Sequence, residues 1–393
     1  MVSMKFLEEL SIYNDELVEL RRYFHQNPEL GFQEFNTQKT IIEYLTDLGL
    51  KPVKMAKTGV YAVLEGGHPG KTLLLRADID ALPVYEESNV DYKSKNEGIM
   101  HACGHDAHTA MLLMAAKILS KHKDKIHGAI KFVFQPNEEE AGAYLMVEEG
   151  ILDNPKVDAA MALHIWSAIE TGKISVQGGP IMGAMDIFSL KIIGKGGHGA
   201  VPQEAVDPIL IAAQVIVATQ SIQTKEISVL TPTIISFTKI NSGTTYNIIP
   251  ESVEMGGTIR YLYKGEDDSL EQPRVRFERV VKGICETFNA KYELKFTPSN
   301  FVVSNDKNLA DIIRENANEL VGVSNIVPYQ TMAGEDFSEF GKKIPACLFF
   351  VGSGNEAKKT SYPQHHPKFN IDEDALMIGV KMHVMNALNY LNK

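Results

Sequence analysis

The spacing of apolar and polar positions changes character along the chain. In the first half, short apolar runs at 71–76 (KTLLLR), 129–135 (AIKFVFQ) and 159–165 (AAMALHI) alternate with stretches of helical spacing, the longest of them at about 106–122. Strands separated by helices predict parallel pairing through crossover connections. After a Gly/Pro-rich passage at 178–183, the order becomes strand (187–193), helix (208–223), strand (233–240), strand (253–261), helix (270–288), strand (291–297). This βαββαβ succession is the ferredoxin-like arrangement. Helix and strand resume from about residue 301, and 346–351 (ACLFFV) reads as another buried strand. The expected fold class is α/β: a larger α/β domain with a mostly parallel sheet between helices, built from 1–184 and 301–393, and an inserted ferredoxin-like α+β domain at 185–300.

The size agrees with two domains, because 393 residues, 44% of them hydrophobic, exceed what one core organises, about 250–300 residues. The net charge of −11, with no block of Lys or Arg, removes the electrostatic footprint that nucleic acid or anionic lipid requires, so neither is an expected partner. Three widely spaced cysteines, Cys103, Cys285 and Cys347, do not make a disulfide framework and point to a reducing compartment. The first twenty residues carry apolar positions at helical spacing between acids, unlike a secretory signal, and no apolar run approaches the roughly 20 residues of a membrane span. The expected location is the cytoplasm.

Polar residues gather in four places: Arg76-Ala77-Asp78-Ile79-Asp80, His101-Ala102-Cys103-Gly104-His105, Asn137-Glu138-Glu139-Glu140 and Leu163-His164. The first, third and fourth begin where a predicted strand ends, and the second opens a predicted helix. In open α/β sheets, ligands bind beyond the carboxyl ends of the strands, so distant segments converge there. Cys103 and His105, two apart, point the same way in extended backbone, and Gly104 between them permits a tight turn. A thiolate with imidazoles and carboxylates suits a first-row transition metal: zinc first, then manganese, cobalt or nickel. Cys103, His105, Glu139, His164 and one of His365 or His366 make five candidate ligands, more than the usual three of a mononuclear catalytic zinc. Two divalent ions, about 3.5–4 Å apart and sharing a ligand and a water, accommodate them better.

Each cluster has an ordinary reading by itself. Acids at 138–140 suit a solvated helix N-terminus, a lone histidine is commonly a satisfied core residue, and a lone cysteine is a small hydrophobe. Their coincidence at strand ends favours chemistry. Gly194-Lys195-Gly196-Gly197-His198-Gly199 matches G-x-G-x-x-G formally, but Pro202 and Pro208 bracket a loop where a dinucleotide site needs a helix. A zinc deaminase lacks its P-C-x-x-C here, and nothing else supports a thiol protease at Cys103. A catalytically idle metal-binding scaffold would have no use for Glu138 beside Glu139.

Taken in order, HQNPELGFQE (25–34), RADIDALPV (76–84), HACGHDAHTAMLL (101–113), FQPNEEEAGA (134–143), ALHIW (162–166), GKGGHGAVP (194–202), NIIPESVEMGGTIR (247–260), AGEDF (333–337) and HHPKFNIDE (365–373) span nearly the whole chain. They resemble the metal-dependent amidohydrolases that include hippurate hydrolase, N-acyl-amino-acid deacylases and indole-acetyl-amino-acid hydrolases, relatives of aminoacylase and of carboxypeptidases with that fold. The resemblance implies a catalytic domain carrying a lid that also dimerises. It implies Cys103 bridging two metals, His105, Glu139, His164 and His365 completing the shells, and Glu138 as general base. The expected reaction is hydrolysis of the amide bond of an N-acyl-L-amino acid, by a water that the ions acidify and Glu138 deprotonates. The alternative substrate is a dipeptide or short peptide. Asp78 or Asp80 would orient an imidazole ligand. Asn247 and Arg260 resemble the positions that hold the substrate carboxylate, and His198 resembles the histidine that reaches a catalytic site across the dimer to polarise the scissile carbonyl. The chain departs from the family pattern at Glu140 and Ala141 in place of glycines, at Gln364 in place of a leucine, and at Asn137 in place of a small residue.

Overall fold

The structure is a computed structural model and describes residues 4–263 and 272–392. It contains two compact units. One comprises the chain up to Gly179, Val303–Tyr329 and the residues from Asp336 onward; the other comprises Pro180–Val302 and Gln330–Glu335. In chain order, the first unit contributes α1 (Asn14–Gln26), α2 (Phe35–Asp47), β1 (Val53–Met55), β2 (Gly59–Glu65), β3 (His68–Asp78), α3 (His105–Ser120), β4 (His127–Gln135), β5 (Ala159–Glu170) and β6 (Ile174–Ser175). The second contributes β7 (Ala184–Ile193), α4 (Pro208–Ser221), β8 (Thr233–Ser242), β9 (Ser252–Tyr261), α5 (Pro273–Thr287) and β10 (Lys291–Asn300). The chain then returns to the first unit as α6 (Lys307–Val321), β11 (Ala346–Gly354) and α7 (Asp374–Leu391).

The first unit is built on a sheet of order β1-β2-β4-β3-β5-β11-β6. Its centre is parallel, β4 with β3, β3 with β5 and β5 with β11, and its edges are antiparallel. Every residue of β11 is buried, which is why 346–351 reads as an unbroken apolar run instead of alternating. Helix α3 is buried along almost its whole length, lying on β3 and against α1, α2 and α7. A helix covered on all sides shows no polar stripe, yet the limits of α3 fall within two residues of the expected 106–122. Helix α7 is covered in the same way, and its limits are not legible in the sequence. The edge strand β1 is three residues long and largely exposed, so it escapes a search for apolar runs, while β2 is mostly buried between β1 and β4.

The second unit pairs its strands antiparallel in the order β8-β9-β7-β10, which for a βαββαβ chain is the ferredoxin-like order. Alternate strand residues, among them Phe188, Leu190, Ile192, Val253 and Met255, pack on Ile211 and Val215 of α4 and on Phe277 and Val281 of α5. Helix α4 starts where Pro208 follows Asp207, whose carboxylate accepts from the Ile209 N–H at 2.9 Å. It ends at Ser221 and continues as a π-turn over Ile222–Glu226. The predicted start of the next helix at 270 lies outside the described residues, and α5 is described from Pro273. No helix among the described residues is long and apolar enough to cross a membrane.

Candidate active site

The parallel centre of the first sheet brings the polar clusters to one edge. Asp78 is the last residue of β3 and pairs with Gln135, the last residue of β4. Strand β5 leaves β3 after Ala162 and runs on beside β11, so His164 lies within a strand, not at its end as predicted. It stands just past the last residue bonded to β3, which still places it at the carboxyl edge. Glu138–Glu140 form one 3-10 turn after β4, and His105 opens α3.

Between Cys103 and His105 the backbone is not extended as expected. Gly104 adopts φ +96°, and a Cβ there would stand 2.7 Å from Ile165 Cγ2, so glycine is required both for conformation and for space. The bend still brings the thiol and imidazole together, because it turns the chain directly into α3.

Sets of donor atoms mutually within 4.8 Å lie here, among them Cys103 with His105 and His164, Cys103 with Glu139 and His365, His105 with Glu138 and Glu139, and Asp78 with His105 and His108. The Cys103 thiol is shared by the first two. His105 Nδ1 bonds the Asp80 carbonyl at 2.9 Å and its carboxylate at 3.1 Å, which leaves Nε2 as the free lone pair. His164 Nδ1 donates to the Ile165 carbonyl at 2.7 Å, and its Nε2 lies 3.5 Å from Cys103 Sγ. His365, at φ +65°, donates its backbone N–H to the Ala102 carbonyl at 2.7 Å, and its Nε2 lies 3.3 Å from Glu139 Oε1. His366 is committed elsewhere: its ring stacks on Tyr362, and its Nδ1 accepts from the Lys368 N–H. Of that histidine pair, His365 is the one aimed at the thiol.

The donor set fits a cation. His105 Nε2 is buried without a hydrogen-bond partner, which isolated polar atoms avoid, and Glu139 Oε1 is buried against His365 Nε2. Burial, and then the neighbouring Glu139 carboxylate, push the Cys103 thiol up from its ordinary value, so a thiolate here needs a positive charge beside it.

The two aspartates divide their work. Asp80 orients His105 and also accepts the Glu139 backbone N–H at 3.1 Å. Asp78 accepts from His108 Nδ1 at 2.6 Å, while His108 Nε2 accepts the Ile165 N–H at 2.8 Å, which assigns the tautomer. Burial alone would raise the Asp78 carboxyl, but His105, His108 and Arg76 hold it well below the usual carboxylate range. Sequence reasoning missed His108, and also the buried fork of Arg76, which donates to Asp78 at 2.7 Å, to Gln135 at 2.8 Å and to Asp336 at 3.1 Å. The motifs RADID and AGEDF contained both ends of that fork; only the fold shows that they meet. Gln364 donates to the Ile165 carbonyl at 3.1 Å and accepts from Ser167 Oγ at 3.2 Å, tying the loop that carries His365 to β5.

The second unit carries the remaining candidates. Gly197–His198 pairs antiparallel with Ile248–Ile249, and the Gly199 N–H donates to the Asn247 carbonyl at 2.9 Å, so His198 and Asn247 are neighbours. A Cβ on Gly199 would come within 3.1 Å of that oxygen. His198 is exposed, and its Nδ1 accepts from the Ala200 N–H at 3.1 Å, which leaves Nε2 as the proton-bearing nitrogen of the neutral ring. Arg260, half-buried on β9, donates Nη1 to the Met332 carbonyl at 2.9 Å. In the glycine-rich stretch the chain forms this small pairing and a 3-10 turn at Pro202–Glu204, and the helix begins only at Pro208, in keeping with the rejection of a dinucleotide site.

The chain is 40% identical to thermostable carboxypeptidase 2 of Saccharolobus solfataricus over 99% of both chains. It is 44% identical to an N-acyl-L-amino acid amidohydrolase of Geobacillus stearothermophilus over 72% of this chain and 75% of that one. Its structure superimposes on the crystal structure of the Bacillus subtilis YXEP protein, a dinuclear metal-binding peptidase, with a TM-score of 0.85 and 33% identity, covering 97% of this chain and 99% of the other. The sequence profile of peptidase family M20/M25/M40 matches residues 74–389, and the chain belongs to that family.

Proposed function

We propose that this metal-dependent hydrolase cleaves the amide bond of N-acyl-L-amino acids, releasing the acyl group as its acid and a free amino acid. The observation that carries the reading is the convergence of Cys103, His105, Glu139, His164 and His365 around one shared thiol, with Glu138 alongside. In this reading those five hold two divalent ions. The donor set suits zinc best and accommodates manganese, cobalt or nickel. When bound, such ions supply Lewis acidity toward a carbonyl oxygen and make a neighbouring water acidic. Glu138, with Oε2 3.9 Å from His105 Nε2, takes the proton of the attacking water and passes it to the leaving amine nitrogen. Arg260 and Asn247 hold the substrate carboxylate, the guanidinium as a fork of donors. His198 donates from Nε2 to the developing oxyanion.

The protein works in this reading as a homodimer joined through the second unit. Ile209, Leu210 and Val217 are exposed along α4, and β8 has a strand neighbour on one side only, a combination that a second copy would cover. Three free cysteines suit the cytoplasm.

A second reading, carboxypeptidase or dipeptidase action, is favoured by the 40% identity to a carboxypeptidase over 99% of both chains. A hydrolysis panel of N-acetyl, N-benzoyl and indoleacetyl amino acids against dipeptides separates the two. Acyl amino acids should be turned over faster, chelation should abolish turnover, and about two equivalents of a divalent transition metal per chain should restore it. Full activity of the metal-free protein would sink the reading, and faster turnover of dipeptides would replace it with the peptidase one.

A further inference from the structure

Glu34 is a fully buried carboxylate distant in sequence from every residue assigned above. It stands at the entrance to α2 and accepts two hydrogen bonds, from the Asn137 backbone N–H at 2.9 Å and from Thr58 Oγ1 at 2.5 Å. Asn137 occupies the left-handed region, φ +53° and ψ +44°, immediately before the 3-10 turn that carries Glu138 and Glu139. Asparagine tolerates that conformation, but something must hold it there. Glu34 holds it from one side. From the other, Gly31 leaves room for the Asn137 side chain: a Cβ on Gly31 would meet Asn137 Oδ1 at 1.8 Å. The turn closes on the same residue, through the Gly142 N–H to the Asn137 carbonyl at 2.7 Å.

Burying a carboxylate is unfavourable, and burial pushes this one up to about 7. An apolar side chain of similar size would serve packing alone, so the buried polar acceptor is explained by the backbone N–H it fixes. A carboxyl oxygen that accepts this N–H suits the task of holding a left-handed residue at a functional turn.

We propose that Glu34 is a positioning residue for catalysis: it locks the left-handed hinge at Asn137 and thereby sets the direction in which Glu138 points. This rests on the reading of Glu138 as the proton-transfer group. The test uses the metal-loaded enzyme and compares Glu34→Ala, Glu34→Gln and Gly31→Ala, with kcat, KM, bound metal and thermal midpoint measured for each. Misplacing a reacting group by about an ångström lowers rates by up to roughly 10²-fold, so Glu34→Ala should lose about 10- to 100-fold in kcat while KM and metal content stay at wild-type values. Glu34→Gln keeps an acceptor for the Asn137 N–H and should restore kcat to within about threefold. Gly31→Ala leaves the carboxylate in place yet displaces Asn137, so it should reproduce the kcat loss, and adding Asn137→Gly should relieve it. Gly31→Ala also decides the matter if Glu34→Ala does not fold. The proposal is overturned if Glu34→Ala or Gly31→Ala keeps wild-type kcat, if Glu34→Gln is as impaired as Glu34→Ala, or if activity falls only in step with metal content. Glu138→Gln assayed in parallel separates the two levels: if it keeps wild-type kcat, the assignment of the base fails; if it is inactive while Glu34→Ala is not impaired, only the positioning role fails.

Discussion

Adjacent acids at the same turn face different neighbours. Glu139 has its backbone N–H on Asp80 and its carboxylate beside His365, within the set that includes the thiol. Glu138 lies 3.9 Å from His105 Nε2 and accepts the Asp336 N–H at 3.4 Å. The difference predicts separable defects. Glu138→Gln should retain both metals and lose roughly 10²–10⁴-fold in kcat, the range of a general acid–base group. Glu139→Gln should lose metal affinity. Metal titration of the two purified variants checks the division, and equal metal loss in both would refute it.

At the scale of elements, the bend into α3 and the packing of α7 each make a prediction about stability. Gly104→Ala adds a side chain at φ +96° against Ile165 Cγ2, so it should lower the thermal midpoint by an amount equivalent to about 2 kcal/mol or more and weaken metal retention. An unchanged midpoint would show that the bend relaxes freely. His383, buried on α7 with neither ring nitrogen hydrogen-bonded, is held down to about 3 by burial and, secondarily, by His108. Its folded value lies below the ordinary value of 6.5, so the fold favours the neutral ring. The stability it permits is full above about pH 6.5 and is lost as pH falls toward 3, with about 2 kcal/mol gone by pH 5. His383→Leu should therefore narrow the gap between thermal midpoints at pH 7.5 and pH 5. An identical gap in wild type and variant would mean that another group sets the acid limit.

For the whole molecule, the decisive question is whether one chain completes another. His198 exposes a donor nitrogen on a loop pinned to Asn247, while its other ring nitrogen accepts from the Ala200 N–H. His198→Ala should lose about 10²–10³-fold in kcat with metals retained, as expected for a donor to a developing oxyanion. If the histidine acts in trans, mixing inactive His198→Ala chains with inactive Glu138→Gln chains should regain activity, since reassorted dimers contain one intact site. Persistent inactivity after proven subunit exchange excludes the trans role, and near-normal activity of His198→Ala alone excludes any catalytic role.

The α/β alternation, the βαββαβ insertion and the thiol, imidazole and carboxylate clusters were all legible in the sequence, because strands buried on both faces read as unbroken apolar runs and because metal donors are chemically unusual side chains wherever they occur. The limits of α7 and the edge strand β1 were not, since a fully covered helix lacks a polar stripe and a three-residue edge strand lacks an apolar run. Spacing alone suggested that Cys103 and His105 share an extended face; the tertiary fit of Gly104 against Ile165 required a left-handed bend instead. The choice of His365 over His366, the pairing of Asp80 with His105 and of Asp78 with His108, and the grip of Glu34 on Asn137 all join segments far apart in sequence. Such contacts depend on hydrogen-bond directions that exist only once the strand ends have been brought together. The sequence by itself determined which chemistry the chain can do, and the tertiary structure decided which atom of each residue is left free to do it.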